Sequence, residues 1–207
     1  MPHRHEGLRI GIDLDNTLIN YDRLFREISV ERGLVPVDFS GSKRDIRDRI
    51  RLIDDGEIAW QLLQAHVYGP AIAGATVAEG ALEFIRRSRE WGAELTIVSH
   101  KTARANLDAH SVNLRDAARG WLRANGIVGS GAVPEENVYF EDTRAEKIAR
   151  IVALRCTHFI DDLEEVFDDP SFPPDVERLL LDSAATNAGA HPTYASFREI
   201  ADALVAD

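Results

Sequence analysis

The 207-residue chain has one cysteine, Cys156, so no disulfide can form within it, and a reducing, cytoplasmic setting is the expectation. No apolar run approaches the roughly 18 to 20 residues that span a bilayer, and the opening MPHRHEG lacks the apolar stretch of a signal peptide. No membrane partner is expected. Cations are scarce relative to acids: 24 Lys and Arg stand against 35 Asp and Glu, a formal net charge of −11. Such a surface repels nucleic acid unless a basic patch is segregated, so no nucleic-acid partner is expected either. Internal repeats and low-complexity tracts are also missing, which excludes solenoids and linker-like chains.

What is present is an alternation of strand and helix signals. Leu8 to Asp13 reads as a buried strand ending in acid, and ELTIVS (94–99), NVYF (137–140), THFIDD (157–162) and RLLLD (178–182) read as further strands. Helical patterns lie between them: EGALEFIRRSREWG, with Leu82, Ile85 and Trp91 at helical spacing, then 113–125 and 144–155. Alternation of this kind predicts an α/β domain with a mostly parallel, Rossmann-like sheet. Residues 21–75 break the rhythm with three helical patterns, 22–33, 42–53 and 57–68, each stopped by a glycine-containing turn. In the second of these Ile46, Ile50 and Ile53 line one face. The predicted organisation is an α/β core from 1–20 and 76–207, interrupted by a helical insertion at 21–75.

In open parallel sheets, ligands bind outside the carboxyl ends of the strands. Those ends carry Asp13, Asp15 and Thr17 after the first strand, Ser99, His100 and Lys101 after the second, and Asp161 and Asp162 after the fourth. Lys147 lies in the helix before that fourth strand. These residue types suit one chemistry. A carboxylate can attack phosphorus and form an aspartyl-phosphate. Oxygens from Asp13, Asp161 and a backbone carbonyl suit Mg²⁺. A hydroxyl (Ser99) and an ammonium (Lys147) can hold phosphoryl oxygens, and a second acid, Asp15, can move the proton.

Taken in order, DLDNT, a strand ending in Ser, a Lys and then DD resemble the haloacid dehalogenase-like (HAD) superfamily of phosphohydrolases. The resemblance implies that Asp13 is the nucleophile and Asp15 the general acid/base. It implies that Ser99, Lys147 and the backbone N–H of His100 cradle the phosphate. Mg²⁺ would be held by Asp13, Asp15 (through its backbone oxygen), Asp161 and an acid of the last motif, with Asp162 and Glu165 both fitting. It further implies that 21–75 is a small helical cap selecting a small phosphorylated substrate, a sugar phosphate or a nucleotide. Asn16 stands where many relatives carry Gly.

Each residue also has a plainer reading. Asp161 and Asp162 can cap a helix, and Lys147 can be a solvated helix residue; Lys101 could add a cation beside the phosphate but reads first as a flexible loop lysine. The helix SKRDIRDRIRLI holds Lys43, Arg44, Arg47, Arg49 and Arg51 against Asp45 and Asp48, a cationic excess that reads first as a solvated, ion-paired face and otherwise as one or two arginines reaching an anionic part of the substrate. Trp60, Trp91 and Trp121 read as core, and His3 and His5 as tail residues. A phosphotransferase or mutase would use the same residues as a hydrolase. A receiver-like module would place its acidic pair first rather than last, and a silent relative would be expected to lose Asp13 or Asp15. The oligomeric state is not legible.

Overall fold

The computed structural model describes residues 7–105, 107, 112–182 and 189–206; His3 and His5 lie outside them. In chain order the elements are β1 (Arg9–Ile12), β2 (Ile19–Asn20), α1 (Asp22–Glu31), α2 (Lys43–Ile50), α3 (Gly56–Tyr68), β3 (Thr76–Val77), α4 (Ala81–Glu90) and β4 (Glu94–His100). They continue as α5 (Leu114–Ala124), β5 (Val138–Glu141), α6 (Arg144–Ala153), β6 (His158–Asp161), α7 (Glu164–Phe167), β7 (Glu177–Leu181), β8 (Thr193–Tyr194) and α8 (Phe197–Ala206).

Six strands form one sheet in the order β5-β4-β1-β6-β7-β8, and every pairing between them is parallel. This is an α/β, Rossmann-like core. The chain builds outward from β1 through β4 to β5, then crosses back and builds outward the other way from β6. The direction therefore reverses between β1 and β6, which is where such sheets open a crevice at their carboxyl edge. Ile10, Ile12, Ile97, Phe159 and Ile160 are wholly buried, as strands covered on both faces require. Gly11 is needed for close approach: a Cβ there would lie 2.5 Å from the Phe159 ring.

The five expected strands are present as β1, β4, β5, β6 and β7. The expectations stop at residue 182, whereas the chain goes on to add β8 and α8. In α4 the buried face is Ala81, Phe84, Ile85 and Ser88, and Leu82 is 46% exposed. Phe84 sets that phase by packing on Phe197, ring centroids 5.3 Å apart.

The chain divides into two compact units, the first Met1–Ile19, Val77–Lys101 and Leu122–Asp207, the second Asn20–Thr76 and Thr102–Trp121. The sequence reading placed Thr102–Trp121 in the core. The second unit is helical with an aromatic centre: Trp60 stacks on Phe25 at 5.3 Å, and Tyr21 and Tyr68 meet edge to face at 4.9 Å. Trp121 is buried too, its indole N–H donating to the Ala75 carbonyl at 3.2 Å. Ser42 and Asp45 close a reciprocal cap at the start of α2, which ends at Ile50. Ile46 and Ile50 are buried, but Ile53 falls beyond the helix end and is 38% exposed. The charges of this stretch are taken up at the surface, Arg47 by Asp48 and Arg51 by Glu57, while the Lys43 ammonium lies 5.3 Å from the Phe25 and Tyr68 ring centroids.

Candidate active site

Asp13 follows β1 directly, and its N–H donates to the Ile160 carbonyl at 2.9 Å, which carries the pairing with β6 one residue further. Asp161 ends β6, so the two carboxylates arrive side by side at the point where the sheet reverses. Ser99, in β4 on the other flank of β1, is buried. The loop after Asp13 is tight: the N–H groups of Leu18 and Ile19 both reach the Leu14 carbonyl at 2.9 Å. Asn16 takes a left-handed backbone, φ 64°, a conformation Asn tolerates and the reason glycine also suits the position.

Lys147 reaches this edge from the first turn of α6. Thr143 caps that helix, its hydroxyl accepting from the Glu146 N–H while Glu146 returns the bond to the Thr143 N–H. The Lys147 ammonium donates to Asp13 Oδ1 and Asp161 Oδ2, each at 2.6 Å, and lies 5.4 Å from the Phe159 ring centroid. All three charged residues are buried: Asp13 is 5% exposed, Asp161 0% and Lys147 2%. One oxygen from each of Asp13, Asp161 and Asp162 falls within 4.8 Å of the others. Thr17 donates to Asp162 Oδ1 at 3.2 Å, and the Leu163 N–H to Asp161 Oδ1 at 3.1 Å.

Burial pushes the Asp13 carboxyl well above the usual carboxylate range; the Lys147 ammonium pulls it back, and Asp161 and Asp162 push it up again. For Lys147, burial lowers the proton affinity, but the Asp13 and Asp161 carboxylates outweigh it and the net shift is upward. Three carboxyl groups thus gather around one buried ammonium.

The structure brings Asp13, Asp161, Asp162 and Lys147 together, with Ser99 on the adjoining strand. His100 is different. It is exposed, and its ring contacts the Asp142 carbonyl at 3.0 Å. Glu165 is exposed on α7, whereas Asp162 joins the carboxylates. The expectation of a flexible Lys101 is corrected. Lys101 is 4% exposed, and its ammonium donates to both oxygens of Asp15 at 3.0 and 2.7 Å. Strand alternation explains the difference, since Ser99 and Lys101 share one face and His100 takes the other. That period was visible in the sequence and could have identified Lys101.

A second mixed group went unnoticed in the sequence. Glu164, Asp168 and His191 present ligand atoms within 4.8 Å of one another, and His191 Nε2 meets Asp168 Oδ1 at 2.9 Å. This group is partly exposed and its His–Asp contact suffices to hold it. A cleft of about 490 Å³ between α4 and α8, lined by Glu79, Glu83, Arg87, Phe197 and Asp202 among others, includes none of the residues at the strand ends.

The carboxylate group fits a hard divalent cation. Its donors are all oxygens, and ligands at about 2.1 Å from Mg²⁺ stand about 3 to 4 Å from one another, within the spread observed.

No protein-family model matches the chain, and no curated protein matches it. Solved structures do. A haloacid dehalogenase-like family hydrolase from Streptococcus pneumoniae is 14% identical, with 95% of this chain and 97% of that one covered at a TM-score of 0.61. A HAD family hydrolase from Deinococcus radiodurans, solved with bound phosphate and sodium, is 16% identical over 96% of this chain and 95% of that one, TM-score 0.57. A HAD-hydrolase from Bacillus subtilis bound to magnesium is 9% identical over 95% and 98%, TM-score 0.56. Likeness at such identities is a likeness of fold, and it runs over nearly the whole length of each chain. The chain has the haloacid dehalogenase-like fold.

Proposed function

We propose that the protein is a Mg²⁺-dependent phosphohydrolase that acts on a small phosphorylated metabolite, such as a sugar phosphate or a nucleotide, through an aspartyl-phosphate on Asp13. The observation that carries this reading is the burial of Asp13 and Asp161 around one ammonium, that of Lys147, at the reversal point of the sheet. Burying two carboxylates costs far more than a fold needs to spend there, unless the group is used. That the Deinococcus protein was solved with phosphate and sodium and the Bacillus protein with magnesium is in keeping with a protein of this fold that takes an anion and a cation.

The steps follow from the residues. Asp13 attacks phosphorus with one carboxylate oxygen, and the bond from phosphorus to the leaving alcohol breaks. Asp15 gives its proton to that alcohol oxygen. Asp15 then takes a proton from water, whose oxygen attacks the same phosphorus and releases inorganic phosphate and the free Asp13 carboxylate. Ser99 and the Lys147 ammonium hold phosphoryl oxygens, and the backbone N–H of His100 adds a donor. Asp13, Asp161, Asp162 and the Asp15 backbone oxygen would hold a divalent cation, whose positive charge would keep Asp13 ionised and offset that of the substrate. We assign substrate selection to the helical insertion at 21–75.

The test is Mg²⁺-dependent phosphate release from p-nitrophenyl phosphate and from a panel of phosphorylated metabolites. Asp13→Asn should lower the rate by about 10³-fold or more while the protein stays folded. Activity retained by that variant would overturn the mechanism.

A further inference from the structure

We propose that Lys101 is the positioning residue for Asp15, holding the proton-transferring carboxylate in place for the leaving-group step. This rests on the phosphohydrolase reading above and assigns a residue that none of its roles uses.

The geometry is specific. The Lys101 ammonium meets both Asp15 oxygens, at 3.0 and 2.7 Å, across 86 residues of sequence. Both partners stand on rigid supports. The Lys101 N–H donates to the Glu141 carbonyl at 2.9 Å, which carries the β4–β5 pairing past the end of β4. Asp15 sits in the tight loop closed by Leu14, Leu18 and Ile19, with a bridge between Asp15 and Ile19. The lysine side chain is 3% exposed and the Asp15 side chain 20%, so the ammonium is taken out of water while the carboxylate stays open on one side.

A purely structural latch explains this poorly. β1 and β4 are already joined by a four-residue ladder, Arg9 to Ile12 against Glu94 to Ile97. A buried ion pair is weak evidence of stabilisation, because taking both charges out of water offsets much of their attraction. What the bond does achieve is orientation. A free Asp15 would sample several rotamers, whereas a two-oxygen grip fixes the carboxylate plane and its distance from Asp13. A misplacement of about 1 Å in a reacting group costs about 10²-fold in rate. Lys101 also continues the strand face of Ser99, so the residue that we assign to the phosphoryl group and the one that aims the acid are set by the same backbone.

A leaving-group comparison in Lys101→Met and Lys101→Gln, with Asp15→Asn alongside, separates this role from others. Nitrophenolate leaves without a proton, whereas an alkoxide from an alkyl phosphate such as glycerol phosphate does not. The expected result is a fall of about 10- to 100-fold in kcat/KM for the alkyl phosphate, with kcat/KM for p-nitrophenyl phosphate kept within about threefold in the Lys101 variants; Asp15→Asn should lose more on the alkyl phosphate and should also turn over p-nitrophenyl phosphate more slowly, since Asp15 takes the proton from water in the second step. Equal losses on both substrates would overturn the proposal and make Lys101 a ligand of the phosphoryl group itself. No change on either would overturn it in favour of a structural pair. Lys101→Gln keeps an N–H donor group without the charge on a side chain one atom shorter, so it decides the matter if the methionine variant does not fold. A wild-type protein inactive on both substrates would remove the phosphohydrolase reading and this one with it; an active wild type with evenly impaired variants would remove this one alone.

Discussion

The two units of the chain treat charge in opposite ways. In the sheet unit Asp13, Asp161, Lys101 and Lys147 are all buried, Lys147 bonded to Asp13 and Asp161 and Lys101 to Asp15. In the helical unit the buried polar residue among those described is Ser29, whose hydroxyl satisfies the Phe25 carbonyl at 2.6 Å. Its interior is otherwise aromatic and aliphatic, Phe25, Trp60, Ile46, Ile50 and Leu63, with its arginines left at the surface. A helical core assembled by area burial has no need of interior charge. The sheet unit carries interior charge at one edge only, where β4, β1 and β6 end. The contrast marks that edge as the place where the proposed chemistry would be carried out. Two buried ammonium groups also give the edge local cations, in a chain whose formal net charge is −11.

Three measurements would break or sharpen this contrast, from the largest effect down. Lys147→Met removes the ammonium that Asp13 and Asp161 share, and should cost about 3 to 5 kcal/mol in urea denaturation, because two buried carboxylates then face each other without a counter-charge. The sign of its pH dependence follows from Asp13. The folded protein already holds that proton more tightly than the unfolded chain, and without the ammonium it would hold it more tightly still. Protonation relieves the variant in acid, so its deficit against wild type should widen as pH rises from about 4 to neutrality. A deficit independent of pH would show that the carboxylates do not carry the cost.

Ile46→Ala in the helical unit should cost about 3 kcal/mol through the cavity alone. Calorimetric titration should find Mg²⁺ binding unchanged in that variant, since every proposed ligand lies in the sheet unit. A weakened affinity would tie the two regions together energetically. The smallest effect belongs to Thr143→Ala, which opens the cap of α6 and should cost about 1 kcal/mol. Thr143→Ser should restore the loss in thermal melts, as the serine hydroxyl can accept the same Glu146 N–H.

Much of this was legible from local pattern. Strand period and helix spacing located β1, β4, β5, β6 and β7 and the helices α1, α2, α3, α4, α5 and α6, because each signal is carried by a few neighbouring side chains. Where the reading slipped, the cause was non-local. Leu82 matched the helical spacing but faces outward, because the phase of α4 is set by Phe197, which is remote in sequence. Ile53 lost its place because the turn before Gly56 ends α2 early, with Asp55 in a left-handed conformation at φ 55°. Lys101 looked like any loop lysine, because its partner Asp15 is 86 residues away.

By itself the sequence determined the kinds of residue at the strand ends and their order: DLDNT, then Ser99, then Lys147, then Asp161 and Asp162. Period, spacing and residue chemistry are properties of short segments, and they sufficed for an α/β core with a helical insertion. Only the tertiary structure decided which of those residues meet. The strand order places β1 between β4 and β6, and that adjacency sets Asp13 beside Asp161 and brings Asp162, rather than Glu165, into the group. It also decided that one lysine bridges Asp13 and Asp161 while another grips Asp15. The physical reason is that a buried charge is stable only with a partner at bonding distance, and such partners come from segments that no local pattern relates.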